Sequence, residues 1–475
     1  MNEVPAKGAH VHLIAVCGVG MASLAGLLQA QGYRVTGSDE NVYPPMSTYL
    51  SRIGIDVLAG YRKEHLAPRP DLVVVGNAVS RTNPEAQAVM EQEIPYISFP
   101  QAIGRFLIGS RRSLVVAGTH GKTTTAALGA WVLTRAGLEP GFFIGGVPNN
   151  FASGWNVGAG NEVVLEGDEY DTAFFDKGPK FLHYRPQNVI LTSVEFDHAD
   201  IYRDLGHLKN AFERLMEILP LDGRLVVCSD YPAAMEVAGR ARCPVITYGQ
   251  GDHAQWKADR VVVREGRSLF EPCYEGRSDG LVEVGLIGCH NIQNALAVYA
   301  MARNLGLERS RLLDGFASFA GIKRRQEIVG EQRGILVIDD FAHHPTAVRE
   351  TVNAFRAAYP GRRLWAVFEP RSNTSRRNIF EREFAASLAL ADRIVVGGLY
   401  MPEKVPEGER LSVTHVVEET NRLRGDRAAV ALEQPQAIAA HIASHASSGD
   451  IVLVMSNGAF GGVHQKILDA LRNSS

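Results

Sequence analysis

Gly118–Thr125 reads GTHGKTTT and follows the apolar run Ser113–Ala117 without a gap. A glycine turn between a strand and a helix points backbone N–H groups at anionic oxygens, and the helix dipole adds to the attraction. In such a loop Lys122 reaches the β- and γ-phosphates of a nucleotide, and the Thr123 hydroxyl can ligate Mg²⁺. Val116 stands at the first glycine of the usual G-x-x-x-x-G-K-[ST] pattern. A GK[ST] triplet at a helix start also arises by chance; the strand before it and the run of threonines weigh against chance here.

Acidic groups follow in two places. Glu166, Asp168 and Glu169 come after the apolar stretch Glu162–Leu165. Carboxylates at the carboxyl end of a parallel strand lie in the crevice where α/β proteins bind ligands, and they suit a hard cation. The plain alternative is a solvated acidic turn. Glu195, Asp197, His198 and Asp200 form a second group, able to complete a magnesium site or to orient phosphates. Further on, His290, Asn291 and Asn294 open a helix. Asn291 and Asn294 share a face, where their amides could meet an adenine edge or merely cap the helix.

Near the N-terminus Gly18-Val19-Gly20 is followed by Ser38-Asp39, about 20 residues on, as in a dinucleotide fingerprint. Ser23 replaces the third glycine, so NAD or another diphosphate fits the same physics. In the last third, Arg324-Arg325, Asp339–Pro345 and Glu369–Thr374 gather polar groups after apolar strands, and arginine pairs are bidentate carboxylate binders. Arg376 and Arg377 read as a basic, solvated rim.

These groups need rigid elements to hold them. Apolar runs at Val11–Val16, Tyr33–Thr36 and Asp71–Gly76, with a helical pattern over Met21–Gln31, make a βαβ unit on a parallel sheet. A second unit has strands at Ser113–Ala117, Glu162–Leu165, Val189–Leu191 and Leu225–Cys228. Its helices are expected over Ala126–Ala136, Asp204–Leu219 and Ile292–Leu305, and the alternating stretch Ala258–Glu283 suggests antiparallel hairpins. A third unit has strands at Gly334–Ile338, Leu364–Phe368, Arg393–Val396 and Asp450–Met455. The length of 475 residues exceeds one core, and the expected fold is α/β in three domains: 1–108, 109–324 and 325–475.

With 45% hydrophobic and 21% charged residues the chain is an ordinary globular protein, neither disordered nor membrane-embedded. A net charge of −3 gives no support to a nucleic-acid partner. The five cysteines are scattered and odd in number, which disfavours a zinc site or a disulfide framework. No basic segment followed by an apolar run opens the sequence, so a cytoplasmic enzyme is expected.

Taken in order, the GTHGKTTT loop, the E-x-D-E turn, the D-H-x-D segment and the H-N-x-x-N helix start resemble the Mur ligase family of peptidoglycan synthesis, over nearly the whole chain. In that family a valine at position 116 is normal. The resemblance implies a Rossmann-like first domain, a central ATPase domain with a parallel sheet plus a small antiparallel one, and a Rossmann-like third domain. It implies ATP and Mg²⁺ as cofactors and a carbon–nitrogen ligase that activates a carboxylate as an acyl phosphate. The segments Ser38–Ser47, Gly76–Pro84, Asp168–Lys177, Asp339–Val348, Glu369–Thr374 and Ser456–Gly462 resemble the branch that joins L-alanyl-γ-D-glutamyl-meso-diaminopimelate to UDP-N-acetylmuramate. The branch that adds L-alanine is expected to carry a tyrosine at Phe341 and a histidine-arginine pair at Arg371-Ser372.

The same resemblance implies site residues. Gly118, Thr119, His120, Gly121, Lys122, Thr123, Thr124, His290, Asn291 and Asn294 would bind ATP, with Thr123, Glu166 and His198 at the metal ions. Gly18, Gly20, Ser38, Asp39 and Asn77 would bind the UDP-sugar; Arg324, Phe341, His343, Arg371 and Asn373 would bind the peptide. Lys122 and His343 would be catalytic. The sequence departs from the family at Ser193, where an asparagine is expected, at Gly167, where alanine is usual, and at Val19-Gly20. An NAD-dependent oxidoreductase, resting on the first glycine turn, and a phosphate-loop NTPase switch are the readings from other classes.

Overall fold

The computed structural model describes residues 4–264 and 266–473. The outer limits of the expected first and third domains, Met1 and Ser475, lie outside the described residues, as does Glu265 in the expected hairpin stretch.

Three large sheets carry the molecule, in an α/β architecture of three domains. The first has five parallel strands in the order Val57–Ala59, Arg34–Asp39, His10–Ile14, Leu72–Val75 and Tyr96–Ser98. Its first strand stops at Ile14, short of the expected Val16. Ala15 adopts φ +67°, and the N–H groups of Ala15 and Val16 both turn to the Ser38 carbonyl. That bend opens the turn into the helix Val19–Ala30.

The central sheet has a parallel core of Gly141–Phe143, Glu162–Glu166, Arg112–Ala117, Pro186–Leu191, Arg224–Cys228 and Val245–Tyr248. Trp256–Arg264 and Arg267–Tyr274 extend it as an antiparallel pair, where the alternating pattern predicted hairpins. The phosphate-loop helix spans Lys122–Arg135, starting four residues before the expected Ala126. Gly121, at φ +78°, turns the chain so that Lys122–Thr125 are already helical, and Thr123, Thr124 and Thr125 are buried.

The third sheet runs Glu327–Gln332, Ile335–Asp340, Ile451–Met455, Leu364–Phe368, Arg393–Val396 and Ala429–Ala431, parallel except for its first, edge strand. Asp339 and Asp340 end the strand rather than follow it, which corrects the expected limit at Ile338. Both are buried, and Asp340 accepts the amides of Gln326 and Ala342.

The two seams between domains differ in chemistry. One apolar core runs unbroken from the first sheet into the central one, helped by Phe99 against Phe143 with ring centroids 5.5 Å apart. The seam between the central and third domains is polar where it faces the phosphate loop: Thr374 donates to Asp197 (2.7 Å), Asn373 to Asp200 (2.7 Å) and Arg325 to Thr123 (3.4 Å). Polar seams hold water and ligands. Among the described residues no helix is long and apolar enough to cross a membrane.

Candidate active site

The loop after the strand Arg112–Ala117 is locked from below. Gly118 has φ +126°, and a Cβ there would lie 2.3 Å from Thr192 Oγ1. At Gly121 a Cβ would lie 2.5 Å from Asn294 Oδ1. Thr192 Oγ1 donates to the His120 carbonyl (2.5 Å), while Ser193 accepts the His120 amide on its hydroxyl (3.0 Å) and the Thr119 amide on its carbonyl (2.9 Å). Ser193, the departure from the expected asparagine, therefore holds the loop itself. At Gly167 an alanine Cβ would meet Val115 Cγ1 at 2.7 Å, so glycine is what this packing admits.

Lys122 Nζ donates to the Gly118 carbonyl (2.6 Å) and to both Glu169 carboxylate oxygens (2.9 Å each). Burial disfavours its charge, but Glu169, Asp168 and Glu166 outweigh burial and hold its pKa above the usual value. Thr123 Oγ1 donates to Glu166 Oε1 (2.9 Å), and the Gly145 amide fixes the other oxygen (2.8 Å). His198 Nε2 lies 2.9 Å from Glu169 Oε1, and its backbone sits at φ +56°, a conformation that costs a non-glycine residue energy. Burial opposes protonation of His198, yet Glu169 and Asp197 raise its pKa. Asp197, almost fully buried, is held well below the carboxylate range because His198, His343, His344 and Thr374 outweigh burial.

A narrow side pocket of about 100 Å³ opens beside the loop, lined by Thr124, His290, Asn291, Asn294, Tyr231 and Asp340, among others. Asn291 and Asn294 lie inside the helix Cys289–Asn304, whose cap is Gly288, so they are not caps. Asn291 donates to the Ile287 carbonyl (2.9 Å) and to Gln326 (3.1 Å), and Asn294 to Asn291 Oδ1 (3.2 Å). His290 Nδ1 is buried with no hydrogen-bond partner, and burial, then Arg325 and His120, lower its pKa to about 4. A neutral imidazole and ordered amides at the loop's flank suit a flat heterocycle.

The larger cavity, of about 640 Å³, lies in the polar seam and joins both domains. Lys122, Thr123, Glu166, Asp168 and His198 line one side; Phe341, His343, Arg371, Asn373 and Arg325 line the other. His343 Nδ1 is 2.9 Å from the Phe341 carbonyl, and burial lowers its pKa, leaving it neutral at neutral pH. Arg371 stacks on Tyr400, 3.6 Å from the ring centroid, in space that Gly458 leaves free.

Arg324 is not among the residues lining this cavity. Its guanidinium donates to Asp339 (3.0 Å) and to the carbonyls of Ser456 (2.8 Å) and Gly458 (2.6 Å). Arg325 lines the cavity instead, half-buried, 4.6 Å from the Phe341 ring centroid. Arg376 is no solvated rim: it is 6% exposed, lines the cavity, and donates to Asn373 Oδ1 (2.6 Å). Arg377 pairs with Glu409.

A separate cavity of about 500 Å³ surrounds the first glycine turn and is lined by Gly18, Gly20, Asp39, Asn77, Tyr61 and Lys180, among others. The helix Val19–Ala30 starts there without a side-chain cap, so its first amides face the space. Asp39 accepts the amides of Cys17 and Asn41 (2.8 Å each). Ser38 does not join them: it is fully buried, and its hydroxyl donates to Glu85 in the interior.

Glu169, Arg325, Arg376 and Lys180 carry no individual site assignment in the sequence reading, although Glu169 stands among its acids and Arg325 in its arginine pair. The E-x-D-E turn and the paired arginines signalled the first two, but spacing alone could not say which member faces the cavity.

Sequence comparison agrees with this layout. The patterns described as "Mur ligase family, catalytic domain", "Mur ligase middle domain" and "Mur ligase, glutamate ligase domain" match residues 10–111, 116–302 and 324–458. The UDP-N-acetylmuramate–L-alanyl-γ-D-glutamyl-meso-2,6-diaminoheptandioate ligase of Escherichia coli (strain K12) is 41% identical over 97% of this chain and 98% of its own length. The UDP-N-acetylmuramate–L-alanine ligase of Variovorax paradoxus is 33% identical, over 97% of this chain and 94% of its own. Among solved structures, a murein peptide ligase from Psychrobacter arcticus aligns with a TM-score of 0.70 at 36% identity, covering 98% of this chain and 99% of that one.

Proposed function

This chain belongs to the Mur ligase family, and on that premise we propose that it joins L-alanyl-γ-D-glutamyl-meso-diaminopimelate to UDP-N-acetylmuramate at the expense of ATP, as in peptidoglycan recycling. One observation carries the reading. The phosphate loop with its acids and the arginine-rich face of the third domain line one cavity, so activated carboxylate and incoming amine meet there.

A free carboxylate does not form an amide in water without activation. The muramyl lactate carboxylate attacks the γ-phosphorus of ATP, and the C–O–P bond forms as the bond to ADP breaks. The tripeptide's amine then attacks the acyl carbon; the tetrahedral intermediate collapses with loss of phosphate, and one amine proton goes to a base. Positioning and charge neutralisation are the protein's part. Lys122 offsets the charge where two anions approach. The loop amides of Gly118, Thr119, His120 and Gly121 cradle phosphate, with Thr124 at the helix start. His290, Asn291 and Asn294 take the adenine.

Mg²⁺, when bound, neutralises phosphate oxygens. Hydroxyl and carboxylate oxygens already in contact at Thr123 and Glu166 suit that hard cation. His198, with Glu169 against its Nε2, would hold a second ion. Gly18, Gly20, Asp39 and Asn77 surround the UDP portion. Arg371, Arg376 and Arg325 suit the three free carboxylates of the tripeptide, with Phe341 and Asn373 beside them. His343, neutral and inside the cavity, is the proton acceptor. The division at residues 108 and 324 gives the uridine end of the UDP-sugar, ATP and the peptide one principal domain each, and substrates of this kind set the reaction in the cytoplasm.

Phosphate release tests the proposal. Wild-type protein should release phosphate rapidly only with ATP, UDP-N-acetylmuramate and tripeptide together, and slowly with L-alanine in place of the tripeptide. Faster turnover with L-alanine would move the chain to the other branch. Hydrolysis without either co-substrate would favour an NTPase, and a change in NAD(H) absorbance without phosphate an oxidoreductase.

A further inference from the structure

We propose that Lys180 is the cation of the first cavity, binding the diphosphate of the UDP-sugar and doing so from another domain. The inference rests on the reading of that cavity as the nucleotide-sugar site.

A diphosphate brings two negative charges. Of the residues lining the cavity, Lys180 carries the positive charge; the rest are neutral apart from Asp39. The turn's amides and the helix start are partial charges, and Asp39 opposes an anion. A full cation within reach is therefore what the cavity needs, and Lys180 supplies it.

Lys180 is held there by construction. It follows the hairpin of Asp171–Ala173 and Asp176–Pro179, which crosses from the central domain onto the first. Phe175 packs on Tyr96 with ring centroids 4.9 Å apart, and Asp176 accepts from Ser98 and Gln101 (3.4 Å each). Lys180 Nζ lies 2.5 Å from Asp168 Oδ2, with its side chain 16% exposed. Asp168 lines the phosphate cavity, so this ion pair is a wall common to both cavities. A UDP-sugar whose diphosphate sits at the first turn and whose lactate reaches Lys122 must pass along it.

The competing role is a tether: Lys180 would only hold Asp168, whose pKa stays at about 2 because Lys180 outweighs burial. The two roles separate experimentally. Calorimetric titration of the full-length protein with UDP and with UDP-N-acetylmuramate, on wild type, Lys180→Met and Lys180→Arg, is paired with steady-state KM values. Lys180→Met should weaken both ligands by roughly tenfold or more, as loss of a charge-assisted contact does. KM for ATP should stay within about twofold, and Lys180→Arg should recover most of the loss. Unchanged UDP binding with a raised KM for ATP or a reduced kcat would leave Lys180 a tether. Weakened UDP-N-acetylmuramate with unchanged UDP would move the contact to the lactate carboxylate. Wild-type protein that binds neither compound would instead remove the underlying reading of the cavity.

Discussion

Two of the turns that lead from a strand through glycine to a helix start open onto the two cavities, and their surroundings differ. Around Gly18, at φ −64°, a Cβ would find its nearest neighbour at 3.7 Å. Around Gly118 and Gly121 both backbones are left-handed and a Cβ would collide. Beside the second turn Lys122 and His198 both contact Glu169, and Thr123 holds Glu166; at the first, Asp39 and Lys180 are the charged residues. A diphosphate that is only carried needs amides and a cation. A phosphoryl group that moves needs fixed charges, already paired and oriented before substrate arrives.

The largest effect that would break this contrast is at Lys122. Lys122→Ala should lower kcat by roughly 10³-fold, as loss of a charge-stabilising donor does, measured by coupled phosphate release. A loss of less than about tenfold would make the second turn a binding site like the first.

Next comes the backbone. Gly118→Ala must strain a left-handed position against Thr192 and should cost on the order of 2–3 kcal/mol, lowering Tm by several degrees. Gly18→Ala has room and should leave Tm nearly unchanged. Equal losses in the two variants would mean that the turns are equivalent.

The third prediction concerns protons. His343 is held neutral by burial, so as a base it works through neutral pH and is lost on acidification. The acid limb of kcat, which reports groups in the bound complex, should lie below pH 6.5. In His343→Gln that limb should disappear along with roughly 100-fold of the rate. A limb that persists in the variant would assign the proton elsewhere.

Smallest is a stability effect. His290 has a depressed pKa of about 4 against an ordinary 6.5, so the unfolded chain takes its proton first on acidification. Its contribution is fully present above pH 6.5 and is lost as pH falls through about 4. Denaturant unfolding of His290→Gln should therefore lose less stability than wild type over that range. Parallel curves would contradict the assignment.

Much of this was legible in the sequence. Leu364–Phe368 and Arg393–Val396 were predicted to the residue, because apolar runs buried on both faces announce themselves. Short or polar edge strands such as Val57–Ala59 and Glu327–Gln332 carry no such signal. The helix start at Lys122 was missed because its threonines are buried by tertiary contact rather than by periodicity. At the site, motif order singled out Lys122, Glu166 and His198, which line one cavity, but not the choice between Arg324 and Arg325. Arg324 and Gln326 both have positive φ, and that irregular turn sends the two guanidinium groups to different surroundings. Lys180 was hidden because it reaches its cavity by way of a hairpin with no alternating pattern.

The central claim is that the two turns serve separate tasks in one reaction. Calorimetric titration of Lys122→Ala with UDP-N-acetylmuramate, on a preparation already shown to have lost turnover, tests it directly. The separation predicts a Kd within about twofold of wild type. Loss of UDP-sugar binding together with turnover, in a variant that keeps its wild-type Tm, would contradict it.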